Sequence, residues 1–243
     1  MSRKSEVFNE DCMIGMRRYP DKYFDLAVVD PPYGGGGCGF SGKERFGGRF
    51  DRYSESVQDR GRMGEKIRKK IIAWDNAPGR EYFDELFRVS KQQIIWGGNY
   101  FPLPPCRCFL IWEKTNIPEK FTMAQCEYAW TSFKDNAKIF KFSSLRTKGE
   151  THFHPTEKPV ALYTWIFQTY AKPGQKILDT HMGSQSSRIA AYEADLEFTG
   201  FEIDKTYFDL GNERFETHIS QMSFFHMDEI EERTSQWREQ TSR

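Results

Sequence analysis

The chain has no excess of either charge: 35 Lys and Arg stand against 35 Asp and Glu, a formal net charge of zero. That excludes a uniformly basic surface, so any contact with nucleic acid has to come from local clustering. No apolar run approaches the roughly 20 residues that a membrane-spanning helix needs, and the opening Met1-Ser2-Arg3-Lys4-Ser5-Glu6 lacks a signal peptide's apolar core. The expectation is a soluble cytoplasmic protein. Cysteine is scarce: five residues, an odd number at irregular spacing, argue for reduced thiols and against a disulfide framework. Cys106 and Cys108, two apart on an apolar stretch, do not have zinc-knuckle spacing and read as buried thiols. Isolated His152, His218 and His226 suggest no metal site, and no internal repeat or low-complexity tract is present.

What the chain does have is length and aromatic residues. Its 243 residues suffice for one α/β domain with a full core, and 16% are aromatic, 21 of them Phe. The organising stretch is Asp30-Pro31-Pro32-Tyr33, which closes the apolar run Phe24-Asp25-Leu26-Ala27-Val28-Val29. Such a run cut off by two prolines reads as a buried strand that stops abruptly, since proline cannot donate to a sheet ladder. In open α/β sheets the carboxyl edge of the strands is where ligands bind. The residue types suit alkylation of an amino group on a base. Such an amine is a poor nucleophile because its lone pair is delocalised, and two fixed acceptors can take its N–H groups and favour a pyramidal nitrogen. Asp30 supplies one acceptor and the Pro31 carbonyl another, while Tyr33 offers a ring face for a flat base. The plainer reading is a strand stop and turn.

Gly34 to Gly39 formally satisfies G-x-G-x-x-G, but that fingerprint must open a helix, and here charged, glycine-rich sequence follows. From Ser41 to Ile72 stand Lys43, Arg45, Arg49, Arg52, Arg60, Arg62, Lys66, Arg68, Lys69 and Lys70, against only Glu44, Asp51, Glu55, Asp59 and Glu65. This basic segment either closes over a phosphate backbone, with strong salt dependence, or is a solvated linker. Residues 81–89 have helical periodicity. Strands are expected at 93–96, before Gly97-Gly98-Asn99-Tyr100-Phe101, and at 108–112, 127–131 and 138–142. Alternating elements early and clustered strands later suggest a mostly parallel sheet with an antiparallel edge strand. Asn99 is either a pocket residue or part of a strand-end turn.

A second informative cluster follows. Thr156 can cap a helix with Pro159 in its early turn and Val160 to Tyr170 as its body. The strand Lys176-Ile177-Leu178-Asp179 then runs into Thr180-His181-Met182-Gly183-Ser184-Gln185-Ser186-Ser187 and a further helix. Strand, small-residue turn and helix let a ligand approach backbone N–H groups. An acidic Asp179 with no phosphate-loop lysine suits a positively charged cofactor. Glu202, about 20 residues past the turn, suits the two hydroxyls of a ribose. Asp204 is expected to cap a helix from Lys205 to about His218. His181 reads as a packing or turn residue.

In this order, Asp30-Pro31-Pro32-Tyr33, Trp96-Gly97-Gly98-Asn99-Tyr100-Phe101, His154-Pro155-Thr156-Glu157-Lys158-Pro159, Asp179 to Ser187 and Glu202 resemble the amino-group DNA methyltransferases that use S-adenosylmethionine. The resemblance spans most of residues 7 to 215. The catalytic motif precedes the cofactor turn, as in the permuted group called β. Asp in first position, where cytosine-N4 enzymes commonly show Ser, implies adenine N6 as the target. The implied fold is a Rossmann-like methyltransferase sheet, mostly parallel, with helices on both faces. Residues 1–222 would form one catalytic domain, with 34–79 a basic loop region, 115–150 the target-recognition region, and 223–243 a charged tail.

The resemblance further implies Asp30, Pro31, Pro32 and Tyr33 as catalytic residues, with Tyr33 stacking on a flipped adenine. Asp11, Cys12, Asp30, Pro31, Lys158, Asp179, Thr180, Gly183, Ser184, Glu202 and Ile203 would bind the cofactor. The implied partner is double-stranded DNA, in a bacterial cell or a virus-infected bacterial host, with a homodimer and a partner restriction endonuclease admitted. Gln185 departs from the pattern, since a second glycine usually stands there; its side chain either crowds the cofactor or points away. Competing readings are methylation of cytosine N4, of RNA or of a protein amide, and a catalytically silent DNA-binding protein on the same fold.

Overall fold

A computed structural model of the chain describes residues 4–34, 76–120, 124–144 and 157–221. The glycine run from 35, all of the basic segment, part of the 115–150 region, the stretch 145–156 with Thr156, and the tail from 222 lie outside the described residues. The elements in chain order are β1 (Ser5–Phe8), α1 (Cys12–Met16), β2 (Phe24–Val29), α2 (Arg80–Val89), β3 (Ser90–Trp96) and a 3-10 turn (Gly98–Tyr100). They continue with β4 (Phe109–Lys114), β5 (Cys126–Thr131), β6 (Lys138–Phe142), α3 (Val160–Tyr170), β7 (Lys176–Asp179), α4 (Ser186–Glu193) and β8 (Glu197–Phe201). A further helix, α5, occupies 205–221. Its start is capped by Asp204, whose Oδ1 accepts from the Thr206 N–H at 2.8 Å. Pro159 is the N-cap of α3 and lies outside its first turn. With φ fixed and no N–H of its own, it suits that position.

The sheet order is β1-β8-β7-β2-β3-β5-β4-β6. Every pairing is parallel except the two that β5 makes, with β3 and with β4. The sheet is thus mostly parallel, but its reversed strand is internal and not at the edge. Burial accounts for this: β5 ends in buried Ala129, Trp130 and Thr131 and needs partners on both sides, whereas β6 has no buried residue and takes the edge, parallel to β4. Alternation along β2 divides the core between two faces. Leu26 and Val28 join Ile94, Trp96 and Ile177 under α3 and α4, while Ala27 and Val29 join Ile95 and Leu178 under α2. Each of these buried Leu, Ile and Val side chains contributes about 1.5–3 kcal/mol relative to exposure.

Because β1, β8, β7, β2 and β3 run parallel, the turns after Phe8, Phe201, Asp179, Val29 and Trp96 all open on one rim. The sites inferred from sequence occupy those turns, except Lys158, which lies just before α3. Among the described residues no helix is long and apolar enough to cross a membrane.

Candidate active site

Asp30 follows the last residue of β2 and is half buried; Pro31 is buried behind it. The Tyr33 hydroxyl donates to Asp30 Oδ1 at 2.6 Å. The Lys158 ammonium pairs with Oδ2. Lys158 is only 5% exposed, lies 5.4 Å from the centroid of the Trp96 ring, and makes a second ion pair, 3.1 Å, with Glu127 on β5. Burial alone would lower the Lys158 pKa, but Asp30 and Glu127 outweigh it and hold the ammonium above its usual value. Glu127 also pairs with Lys114 at 2.7 Å. Burial pushes the Glu127 carboxyl up, yet the two lysines keep it below its ordinary value. Lys158, which the resemblance groups with the cofactor residues, therefore sits against the acid of the Pro-Pro motif.

Tyr33 stacks on Tyr100 with centroids 4.9 Å apart and planes 23° from parallel, and Tyr100 is half exposed. The ring also lies flat on Gly97. That glycine has φ +67, and a Cβ there would stand 2.1 Å from the ring. The Gly97-Gly98 turn after β3 is thus required twice, by its backbone conformation and by the approach of Tyr33. One face of the expected stacking platform is covered by Tyr100, which has to move for a base to use it.

The turn after β7 is built around two carboxylates. Asp179 accepts from the His181 N–H at 3.0 Å and the Ser187 hydroxyl at 2.6 Å. Glu202 accepts from the Gly183 N–H at 2.9 Å and the Asp204 N–H at 2.8 Å. Burial pushes Asp179 up to about 7, against the lowering effect of its two donors, and the charges of Asp30 and Glu202 push the same way. Burial also raises Glu202. Among the described residues neither carboxylate has a cationic partner. This donor set fits a ligand that brings a positive charge and hydroxyl donors. Ser184 is buried and Ile203 is exposed beside the turn. Asp11 caps α1, accepting from the Met13 N–H at 2.7 Å, and the Cys12 thiol is pushed up to about 12 by burial and by Asp11, so it stays protonated.

Gln185 stands at φ 60, the left-handed region that glycine favours, so the backbone there suits glycine better than Gln. Its side chain does not enter the turn. It is fully buried against α5, where its amide donates to Phe208 O and Asn212 Oδ1, both at 3.2 Å, and accepts from Arg188 at 2.8 Å. His181 is pushed down to about 4 by burial, contacts Thr180 Oγ1 at 2.9 Å through Nδ1, and packs on the Tyr82 ring. It is a neutral packing residue.

Two tyrosines join the motifs. Tyr82, from α2, hydrogen-bonds Thr180 Oγ1 at 2.6 Å and feels the charges of both Asp179 and Asp30. Tyr163, from α3, feels Asp179, Lys158 and Asp30. Neither was singled out from the sequence, and nor was Glu127. All three lie inside regular elements whose periodicity already accounts for them as core or strand residues.

A mostly parallel, doubly covered sheet with carboxylate turns at one rim defines a Rossmann-like α/β fold of the nucleotide-binding class. Comparison with known proteins narrows this. Residues 95–213, just under half of the chain, match the model of the N6/N4 family described as DNA methylase. YubD of Escherichia coli (strain K12), described as a methylase, is 22% identical over 216 residues, which are 86% of this chain and 89% of that protein. The M1.HpyAVI–SAM complex is similar at a TM-score of 0.52 and 17% identity, over 86% of this chain and 98% of its own. PvuII DNA methyltransferase, cytosine-N4-specific, gives a TM-score of 0.56 at 12% identity over 87% and 86%. Over residues 95–213 the chain is similar to the N6/N4 DNA methylases, and its fold is shared with the methyltransferase structures.

Proposed function

We propose that this protein is an S-adenosylmethionine-dependent DNA methyltransferase that methylates an exocyclic base amine, adenine N6 in the leading reading. The observation that carries it is that β2, β7 and β8 are parallel neighbours, so that Asp30 and the Asp179–Glu202 turn open side by side on one rim. Asp179 would face the positively charged end of the cofactor, Glu202 the ribose, and the Gly183-Ser184 backbone the space between. Bound there, the cofactor supplies an electrophilic methyl on a sulfonium. Asp30 and the Pro31 carbonyl would accept the two N–H groups of a flipped base, free its lone pair and hold it in near-attack geometry. As the N–C bond forms and the C–S bond breaks, the nitrogen becomes cationic, and its proton passes to Asp30 or to water beside it. Asp30 has room for this, since each carboxylate oxygen has two lone pairs and carries one donor in the resting structure.

The test uses radiolabelled S-adenosylmethionine, duplex DNA and mass spectrometry of the released nucleosides. The expected product is N6-methyladenine; N4-methylcytosine would move the assignment to the other amine of the same chemistry. Asp30→Ala is expected to bind cofactor and to transfer no methyl group. Transfer at the parent rate by that variant would remove Asp30 from the mechanism. Absence of calorimetric heat with S-adenosylmethionine would favour a silent DNA-binding protein.

A further inference from the structure

Four side chains of alternating charge run from the rim into the sheet: Asp30 after β2, Lys158 before α3, Glu127 on β5 and Lys114 on β4. They come from four separate segments, and only the first two fall in motifs. Burial favours the neutral form of a lysine, and two anions oppose it here. Glu127 supplies the second. It also has a consequence for Asp30. Asp30 and Lys158 by themselves sum to zero charge, whereas Asp30, Lys158 and Glu127 sum to minus one. Lys114 lies beyond Glu127, on its other carboxylate oxygen, one step further from Asp30.

Amine methylation carries positive charge from the sulfur to the acceptor nitrogen, so a site of net negative charge stabilises the transition state where a neutral one does not. Sharing the ammonium between two carboxylates also leaves Asp30 Oδ1 to the Tyr33 hydroxyl and the incoming amine. We propose that Glu127 is a positioning residue for methyl transfer: it holds Lys158 across the two carboxylates and thereby sets the charge that Asp30 presents to the amine. The other groups facing this cluster are Tyr33, Tyr82, Tyr163 and the Trp96 ring. Asp179 acts on Asp30 from the neighbouring strand. None of these replaces the charge of Glu127.

The inference rests on the methyl-transfer reading, and the two can fail separately. In the full chain without cofactor, carbon-13 at lysine Cε reports the titration of Lys158. Glu127→Gln keeps shape and removes charge, so Lys158 is expected to titrate at lower pH than in the parent. In single-turnover transfer, the acid limb of the rate profile is expected to move to lower pH. The rate should fall at least about tenfold, with cofactor and DNA affinities within about threefold of the parent. Lys114→Met removes the outer lysine and leaves Glu127 in place, so it should move the acid limb to higher pH; it serves alone if Glu127→Gln does not fold. A Lys158 titration or an acid limb unmoved in Glu127→Gln, or an acid limb unmoved in Lys114→Met, overturns the inference. A parent protein that transfers no methyl overturns the functional reading instead.

Discussion

Asp179 and His181 are two residues apart, the first buried and the second half-buried, and titrate in opposing senses. Asp179 is raised from 3.8 to about 7, so between those values the native state keeps a proton that the unfolded chain has released, and stability falls as pH rises. His181 is lowered from 6.5 to about 4, so over nearly the same window the unfolded chain binds a proton that the native state refuses, and stability rises. The two largely cancel in the parent, and replacing one exposes the other. Asp179→Asn is expected to gain stability over the parent as pH rises from 4 to 7, by about 2–4 kcal/mol at the upper end, while losing cofactor affinity. Urea denaturation at a series of pH values, with calorimetry at pH 8, reads both; a stability difference that is flat with pH rejects the assignment. Gly97 gives a second prediction at this scale. Gly97→Ala must accept a positive φ and displace the Tyr33 ring, at a cost of about 1–3 kcal/mol. Methyl transfer should be lost while cofactor still binds. The need for glycine at 97 could be suspected from the double-glycine break after a strand. The Tyr33 ring that demands it could not, because the two residues are far apart in the chain and meet only across the rim.

At the scale of elements, α4 begins at a strained residue that is retained for what its side chain does. A non-glycine residue in the left-handed region costs about 1–2 kcal/mol, offset here by the hydrogen bonds of Gln185 to Arg188, Asn212 and Phe208. Gln185→Gly relieves the backbone and loses the bonds. Gln185→Ala loses the bonds and keeps the strain. Stability is expected to fall in the order parent, Gly, Ala, the last by about 2–3 kcal/mol, with cofactor affinity little changed in the Gly variant because the side chain points to α5. Chemical denaturation and cofactor titration check the order; an Ala variant as stable as the Gly one removes the strain from the account. The sequence alone left Gln185 between crowding the cofactor and pointing away, since the outcome depends on the partner helix α5 lying within reach. Helices α2, α3 and α5 and the strands were legible because apolar period and breakers coincide at their ends. The internal place of β5 was not, because order within a sheet is set by burial of both strand edges, which local pattern does not encode.

For the whole molecule, a net charge of zero makes DNA affinity depend on where the basic residues cluster. If the segment 41–72 binds phosphates, replacing Lys66, Arg68, Lys69 and Lys70 by Ala should flatten the dependence of log affinity on log salt by about 0.9 for each phosphate left without its cation, with cofactor affinity unchanged. Fluorescence anisotropy with duplex DNA at several salt concentrations reads the slope; an unaltered slope returns the segment to a solvated linker. The order of residues along the chain was enough to say which types stand at strand ends, and hence that an acid, two prolines, a glycine turn and a second carboxylate would share one edge of a parallel sheet. That much follows from chain chemistry, because strand, breaker and cap are local properties and parallel strands must end on the same side. It took the packed molecule to show that Lys158 pairs with Asp30, that Glu127 and Lys114 extend the pair into a chain of charges, and that Gln185 turns away from the turn after β7. Those relations are set by which side chains share a buried space, and burial is a property of the packed whole.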